Sequence, residues 1–247
     1  VGHPFCGSIC HLALNFVTLL STNGVNSRQN EYLQVIRAFF VEVCMIRKSF
    51  LYVGMLVAAV AVSVAAYAVR VGDAAPDFTG TDSNGKMHKL SEYRGKYVVL
   101  EWTNNGCPFT VKHYASGNMQ ALQKDWTGKG VVWLTVLSSA PGEQGYMTAA
   151  QENAYLGKET AAPTAALLDP TGAIGHEYEA KTTPHMFVID PSGKVIYAGA
   201  IDDHATTDVE DVKSSKNYVT AALIEAMAGQ KVATSSTRPY GCSVKYQ

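Results

Sequence analysis

The sequence predicts an α/β domain with one central mixed sheet and helices on both faces. Three observations predict it. Two apolar runs of strand length, 97–102 (YVVLEW) and 131–137 (VVWLTVL), bracket a segment with helical spacing. Further along, Asp190-Pro191-Ser192-Gly193 separates two more apolar runs and has the composition of a type I turn. An amphipathic stretch at 218–227 closes the pattern. The 247 residues suffice for one full domain plus extensions. Net charge is −1 with no block of like charges, so nothing favours nucleic acid as a partner.

Residues 45–68 (MIRKSFLYVGMLVAAVAVSVAAYA) hold Arg47 and Lys48, then an apolar run, then Ala66-Tyr67-Ala68. That is the layout of a secretory signal, and the run at 50–68 is also about long enough for a membrane anchor. The hydrophobic segment is expected to lie outside the folded domain. Residues 1–44 are expected to be an upstream extension, with Met45 the true start, so Cys6, Cys10 and Cys44 are set aside. Export, to a periplasm or beyond, would put the remaining thiols where disulfides persist.

The domain itself is expected over 69–232. Residues 72–78 (GDAAPDF) read as an irregular lead-in, and Asn84-Gly85 as the turn of a hairpin. After strand 97–102, Gly106-Cys107-Pro108 breaks the chain. Val111, Tyr114, Ala115, Met119 and Leu122 then mark one face of a single helix that Gly128 and Gly130 end. Pro108 suits the first helical turn. With strand 131–137 this makes a β-α-β unit that has Cys107 at the turn into its helix. Residues 138–164 read as an insertion with a helix near 148–156, and 165–168 as a weak strand. A short helix follows at 174–179. The runs 185–189 (HMFVI) and 195–198 (VIYA) form an antiparallel hairpin. Residues 233–247 read as a flexible tail, rich in Ser and Thr, that carries Cys242. Asp202, Asp203, His204 and Asp208 are expected as a solvated loop rather than a metal site. Lys112 and His113 are expected at the helix surface. No metal or organic cofactor is implied.

A thiol at a helix N-terminus meets unpaired N–H groups and the positive end of the helix dipole, both of which favour the thiolate. Lowering its pKa gains little attack rate, because nucleophilicity falls too, but it makes the sulfur a better leaving group. Cys107 is therefore expected to be partly open to solvent and suited to thiol–disulfide exchange.

The order of strand, Cys-Pro helix entry, second strand, Thr-Pro before a hairpin and final helix resembles the thioredoxin superfamily over about residues 72–230. It is most similar to the redoxin branch, the peroxiredoxin-like (AhpC/TSA-like) and TlpA-like exported proteins. The resemblance implies a thioredoxin-like fold and a nucleophile at Cys107. The second cysteine of the family's CxxC falls on Thr110. The buried acid falls on Glu101, and the cis-proline facing the cysteine on Pro184. It also implies a substrate groove shaped by Pro184, Thr183, Pro108 and Thr110. Relatives of this type often carry a Gly-Cys-Ser segment like the one at 241–243, so Cys242 is expected to resolve a mixed disulfide on Cys107; a purely structural disulfide is the alternative. The peroxidase motif PxxxTxxC places its cysteine on Thr110, its Thr on Cys107 and its Pro on Thr103, and is thus incomplete. The expected function is thiol–disulfide exchange on exported protein or small-molecule substrates, with a reducing protein as partner. A thiol peroxidase or a weakly catalytic binding module are the alternatives.

Overall fold

The computed structural model describes residues 69–247. The expectations placed on 1–68, including the signal segment, lie outside the described residues. Residues 69–247 belong to one compact unit. Among the described residues no helix is long and apolar enough to cross a membrane.

A seven-stranded mixed sheet runs in the order β2-β1-β5-β4-β3-β7-β8. Its strands are β1 (Thr79–Asp82), β2 (Met87–Lys89), β3 (Val98–Trp102), β4 (Val132–Leu137), β5 (Ala165–Leu168), β7 (His185–Ile189) and β8 (Val195–Gly199). β3, β4 and β5 are parallel, and β7 pairs antiparallel with β3. β3, β4 and β7 are buried along their whole length, which is why their sequences show no alternation. The hairpins at Asn84-Gly85 and at 190–193 form as the sequence predicts, the second closed by Gly193 N–H to Asp190 C=O at 2.8 Å.

Two apolar clusters cover the sheet. Val98, Leu100 and Trp102 pack with Phe78, Ile174, Tyr178 and Phe187 on one face. Val99 and Met186 pack on the other face with Tyr114, Met119, Trp126, Val219 and Leu223. Helices α1 (Pro108–Ala115), α2 (Asn118–Gly128) and α5 (Tyr218–Met227) supply this second face. α3 (Ala149–Glu159) lies in the insertion and is opened by a Thr148/Gln151 capping box. α4 (Ala173–Glu177) follows β5.

Three expectations are corrected here. The single helix after Cys107 is two, broken at Ser116-Gly117, where Gly117 adopts φ +74°. The break rotates the first segment. Val111 and Ala115 therefore face solvent, while Lys112 and His113 are buried. Asp202 is likewise buried, while Asp203 and Asp208 are exposed and His204 half-buried, in the loop that follows it.

The third correction concerns residues 233–247. They do not form a loose tail but a strap docked on the domain. Ala198 N–H donates to Ser235 C=O at 3.1 Å, and Thr237 N–H to Ala198 C=O at 3.2 Å. Ala140 N–H donates to Lys245 C=O at 2.8 Å, and Tyr246 OH to Ala180 C=O at 2.8 Å. Between these anchors, β9 (Cys242–Ser243) pairs antiparallel with β6 (Thr182–Thr183). A Cβ at Gly199 would strike Thr237, and one at Gly241 would strike the Thr183 carbonyl. The domain is shaped to admit the strap.

Candidate active site

β3 ends at Trp102, and residues 103–106 turn the chain into α1. Asn104 holds the turn: its side-chain oxygen accepts from Gly106 N–H at 2.8 Å, and its amide donates to Gln144 C=O at 2.9 Å. Gln144 returns a bond to Gly106 C=O at 3.1 Å. The insertion thereby clamps the turn that aims Cys107. Neither Asn104 nor Gln144 was singled out from the sequence, although an Asn two residues before a Gly is a signal for this kind of turn.

Cys107 is the N-cap residue of α1, with extended backbone and Pro108 at the first helical position. Its sulfur donates to Thr183 C=O at 3.0 Å. The Thr183–Pro184 peptide is cis, and Pro184 is buried. Because Thr183 is the strand partner of Cys242, the strap sets the two cysteines side by side. Both thiols are free.

Cys107 is not partly open to solvent. It is 0% exposed, whereas Cys242 is half-buried. The sequence could not show this, because the groups against the sulfur, from Thr183 and Cys242, arrive from segments 76 or more residues away. The surroundings of the sulfur are nevertheless polar. Burial opposes the Cys107 thiolate, but the Cys242 and Thr183 side chains and the backbone N–H groups of Cys242 and Thr110 outweigh it, so its pKa lies below the ordinary thiol value. Burial raises the pKa of Cys242, and the neighbouring Cys107 raises it further, to about 11.

Glu101 is fully buried on β3, on the face that carries α1. Trp133 Nε1 donates to its carboxyl at 2.8 Å, Gln123 Nε2 at 3.2 Å and Tyr114 OH at 3.2 Å. Burial dominates those bonds and pushes its pKa up to about 7. Tyr114 lies on α1, so Glu101 is tied to the helix that Cys107 heads. Thr110 is buried with its hydroxyl unpartnered, and Pro108 is exposed.

A second polar cluster was missed in the sequence. Lys112 Nζ lies 3.7 Å from Asp202 and donates to His204 C=O at 2.8 Å. His113 Nε2 lies 3.3 Å from Tyr240 OH and 3.8 Å from Asp202. Tyr240 OH also donates to Asp202. This cluster joins α1, the loop after β8 and the strap, two residues before Cys242. Among the described residues no group of His, Cys, Asp and Glu could hold a metal ion.

The architecture is that of a thioredoxin-like domain, with a thiol at the strand-to-helix turn, a cis-proline loop beside it and a second thiol delivered by the strap. The AhpC/TSA family model matches residues 71–198, just over half of the chain, and the chain belongs to that family. The thiol-disulfide oxidoreductase ResA of Geobacillus kaustophilus (strain HTA426) is 52% identical over 40 residues, which is 16% of this chain and 23% of that protein. The match to ResA of Geobacillus thermodenitrificans (strain NG80-2) is 48% over 40 residues and also spans 23% of the relative. The chain thus aligns with about a quarter of the length of these curated relatives. Among solved structures, an uncharacterized conserved protein from Geobacillus kaustophilus superposes with a TM-score of 0.62 at 23% identity, covering 72% of this chain and 93% of that one. A hypothetical protein from Sinorhizobium meliloti 1021 gives 0.59 at 23% identity, covering 73% and 97%. These two establish the shared fold.

Proposed function

We propose that this protein is a thiol–disulfide oxidoreductase whose redox couple is Cys107 and Cys242. One observation carries the reading: strand pairing of Cys242 with Thr183, whose carbonyl accepts from the Cys107 sulfur, holds two free thiols together at a helix entry. A mixed disulfide on either sulfur has its resolving partner in place, at the high effective concentration that fixed geometry provides. The short likeness to the ResA enzymes supports the same chemistry. Thr183 and Pro184 form the wall of the site, with Thr110 beneath and Pro108 at the rim. Glu101, near half-protonated at neutral pH, is the proton reservoir behind α1. The substrates are thiols and disulfides of proteins or small molecules, with a reducing protein closing the cycle. The signal-like layout of 45–68 supports work outside the cytosol, cleaved or held at a membrane.

The test is a disulfide-reduction assay comparing the wild type with Cys107→Ser and Cys242→Ser. Each variant is expected to lose nearly all turnover. Rates equal to wild type in Cys107→Ser would remove the enzyme reading.

A further inference from the structure

We propose that the external thiol enters at Cys242, and that Cys107 is the inner sulfur of the couple. This deepens the redox-couple reading and rests on it. The order is the reverse of the one expected from the sequence, in which Cys107 meets the substrate first.

Access decides the order. Cys107 is 0% exposed, and its sulfur is occupied with the Thr183 carbonyl. The strap that carries Cys242 is anchored on both sides. On one side Tyr240 bonds to Asp202 and packs against the Phe109 ring at 5.8 Å between centroids. On the other, Val244 N–H donates to Lys181 C=O at 3.1 Å, and Tyr246 stacks on His176 at 4.1 Å. Reaching Cys107 from solvent requires lifting this segment, while Cys242 is partly exposed where it lies. A cavity of about 590 Å³ opens beside Gly241, the residue before Cys242, and is lined by Thr182, Asp202, Asp203, Arg238 and Tyr240.

The leaving group agrees with this direction. An external thiolate attacks the Cys242 sulfur of the oxidised couple. The new external S–Cys242 bond forms, the Cys242–Cys107 bond breaks, and Cys107 departs with the electron pair as a thiolate. The groups around Cys107 favour that anion, and a lower-pKa thiol leaves faster. A second external thiolate then attacks its counterpart in the mixed disulfide. The external disulfide is released, and Cys242 leaves as a thiolate that takes up a proton. Two external thiols are oxidised and one protein disulfide is reduced.

The experiment starts from oxidised full-length protein whose mass and peptide map show the Cys107–Cys242 link. If that link never forms, the redox-couple reading itself fails, a result distinct from a wrong order of attack. Glutathione is added, acid quenches the reaction early, free glutathione is removed, and the unfolded protein is alkylated with N-ethylmaleimide before the cysteine peptides are mapped. The expected product carries glutathione on Cys242 and maleimide on Cys107. Glutathione on Cys107 with maleimide on Cys242, or equal amounts of the two products, overturns the proposal. A second arm does not depend on capturing the intermediate. At equilibrium with glutathione disulfide, Cys107→Ser should bind glutathione about tenfold more completely than Cys242→Ser, the ratio that ~1.4 kcal/mol of strap undocking produces. Equal or greater uptake by Cys242→Ser overturns it.

Discussion

Glu101 and Cys107 each carry a conflict between burial and hydrogen bonding, and the outcome differs between them. At Cys107 the neighbouring donors prevail and the anion is favoured. At Glu101 three donors do not compensate for complete burial, and its pKa rises from 4.5 to about 7. The linkage has a definite sign. A carboxyl that binds its proton more tightly when folded contributes stability below its unfolded pKa, and that stability is lost as pH rises through the folded value. Between about pH 4.5 and 8, the wild type should lose about 3 kcal/mol of unfolding free energy that Glu101→Gln does not lose. Urea melts of both proteins across that range measure the difference. Parallel profiles would show that Glu101 binds its proton equally tightly in the folded and unfolded protein. Glu101 was recognisable from its place in YVVLEW six residues before a Cys, but its donors Gln123 and Trp133 lie on other elements and carry no local signal.

The junction of α1 with the strap shows what a sequence pattern can and cannot reveal. Apolar spacing correctly located a helix after Cys107. It gave the wrong buried face, because the break at Gly117 resets the rotation and because Lys112 and His113 are buried through partners that arrive from 202–204 and 240. Burial is also what holds His113 neutral: it outweighs the Asp202 charge and, with help from Lys112, draws the imidazole pKa down to about 4. A buried ion pair that loses one member leaves the other uncompensated. Lys112→Ala, which strands Asp202, should therefore cost about 3–5 kcal/mol. Tyr240→Phe keeps the ring on Phe109 and removes the hydroxyl's bonds to Asp202 and His113, so about 2 kcal/mol is expected. It should also make Cys107 react faster with iodoacetamide, because the strap lifts more often. Denaturant melts check the first two numbers and alkylation rates the third. An unchanged Cys107 rate in Tyr240→Phe would show that Tyr240 does not hold the cover closed. Gly199→Ala tests the seat of the strap independently. Its new methyl meets the Thr237 backbone at a φ of +152°, and destabilisation of a few kcal/mol is expected.

Most of the sheet was legible, since each strand and turn declares itself within a few residues. YVVLEW, VVWLTVL and HMFVI became the central strands, and Tyr218–Met227 closed the domain as its last helix. The docking of residues 233–247 was not legible. Its anchors are single contacts spread from Ala140 to Ala198, and a Ser/Thr-rich composition looks the same whether it floats or packs. That segment converts a chain with one cysteine at its helix entry into one with two thiols side by side. The account predicts that these form a reversible two-electron couple. Equilibrating the protein with defined ratios of reduced and oxidised glutathione, and quantifying the Cys107–Cys242 link by peptide mapping, measures its potential. We expect a single transition with two-electron stoichiometry at a potential above about −300 mV, outside the range of inert structural disulfides. Glutathione adducts without any internal link, at every ratio, would contradict the account.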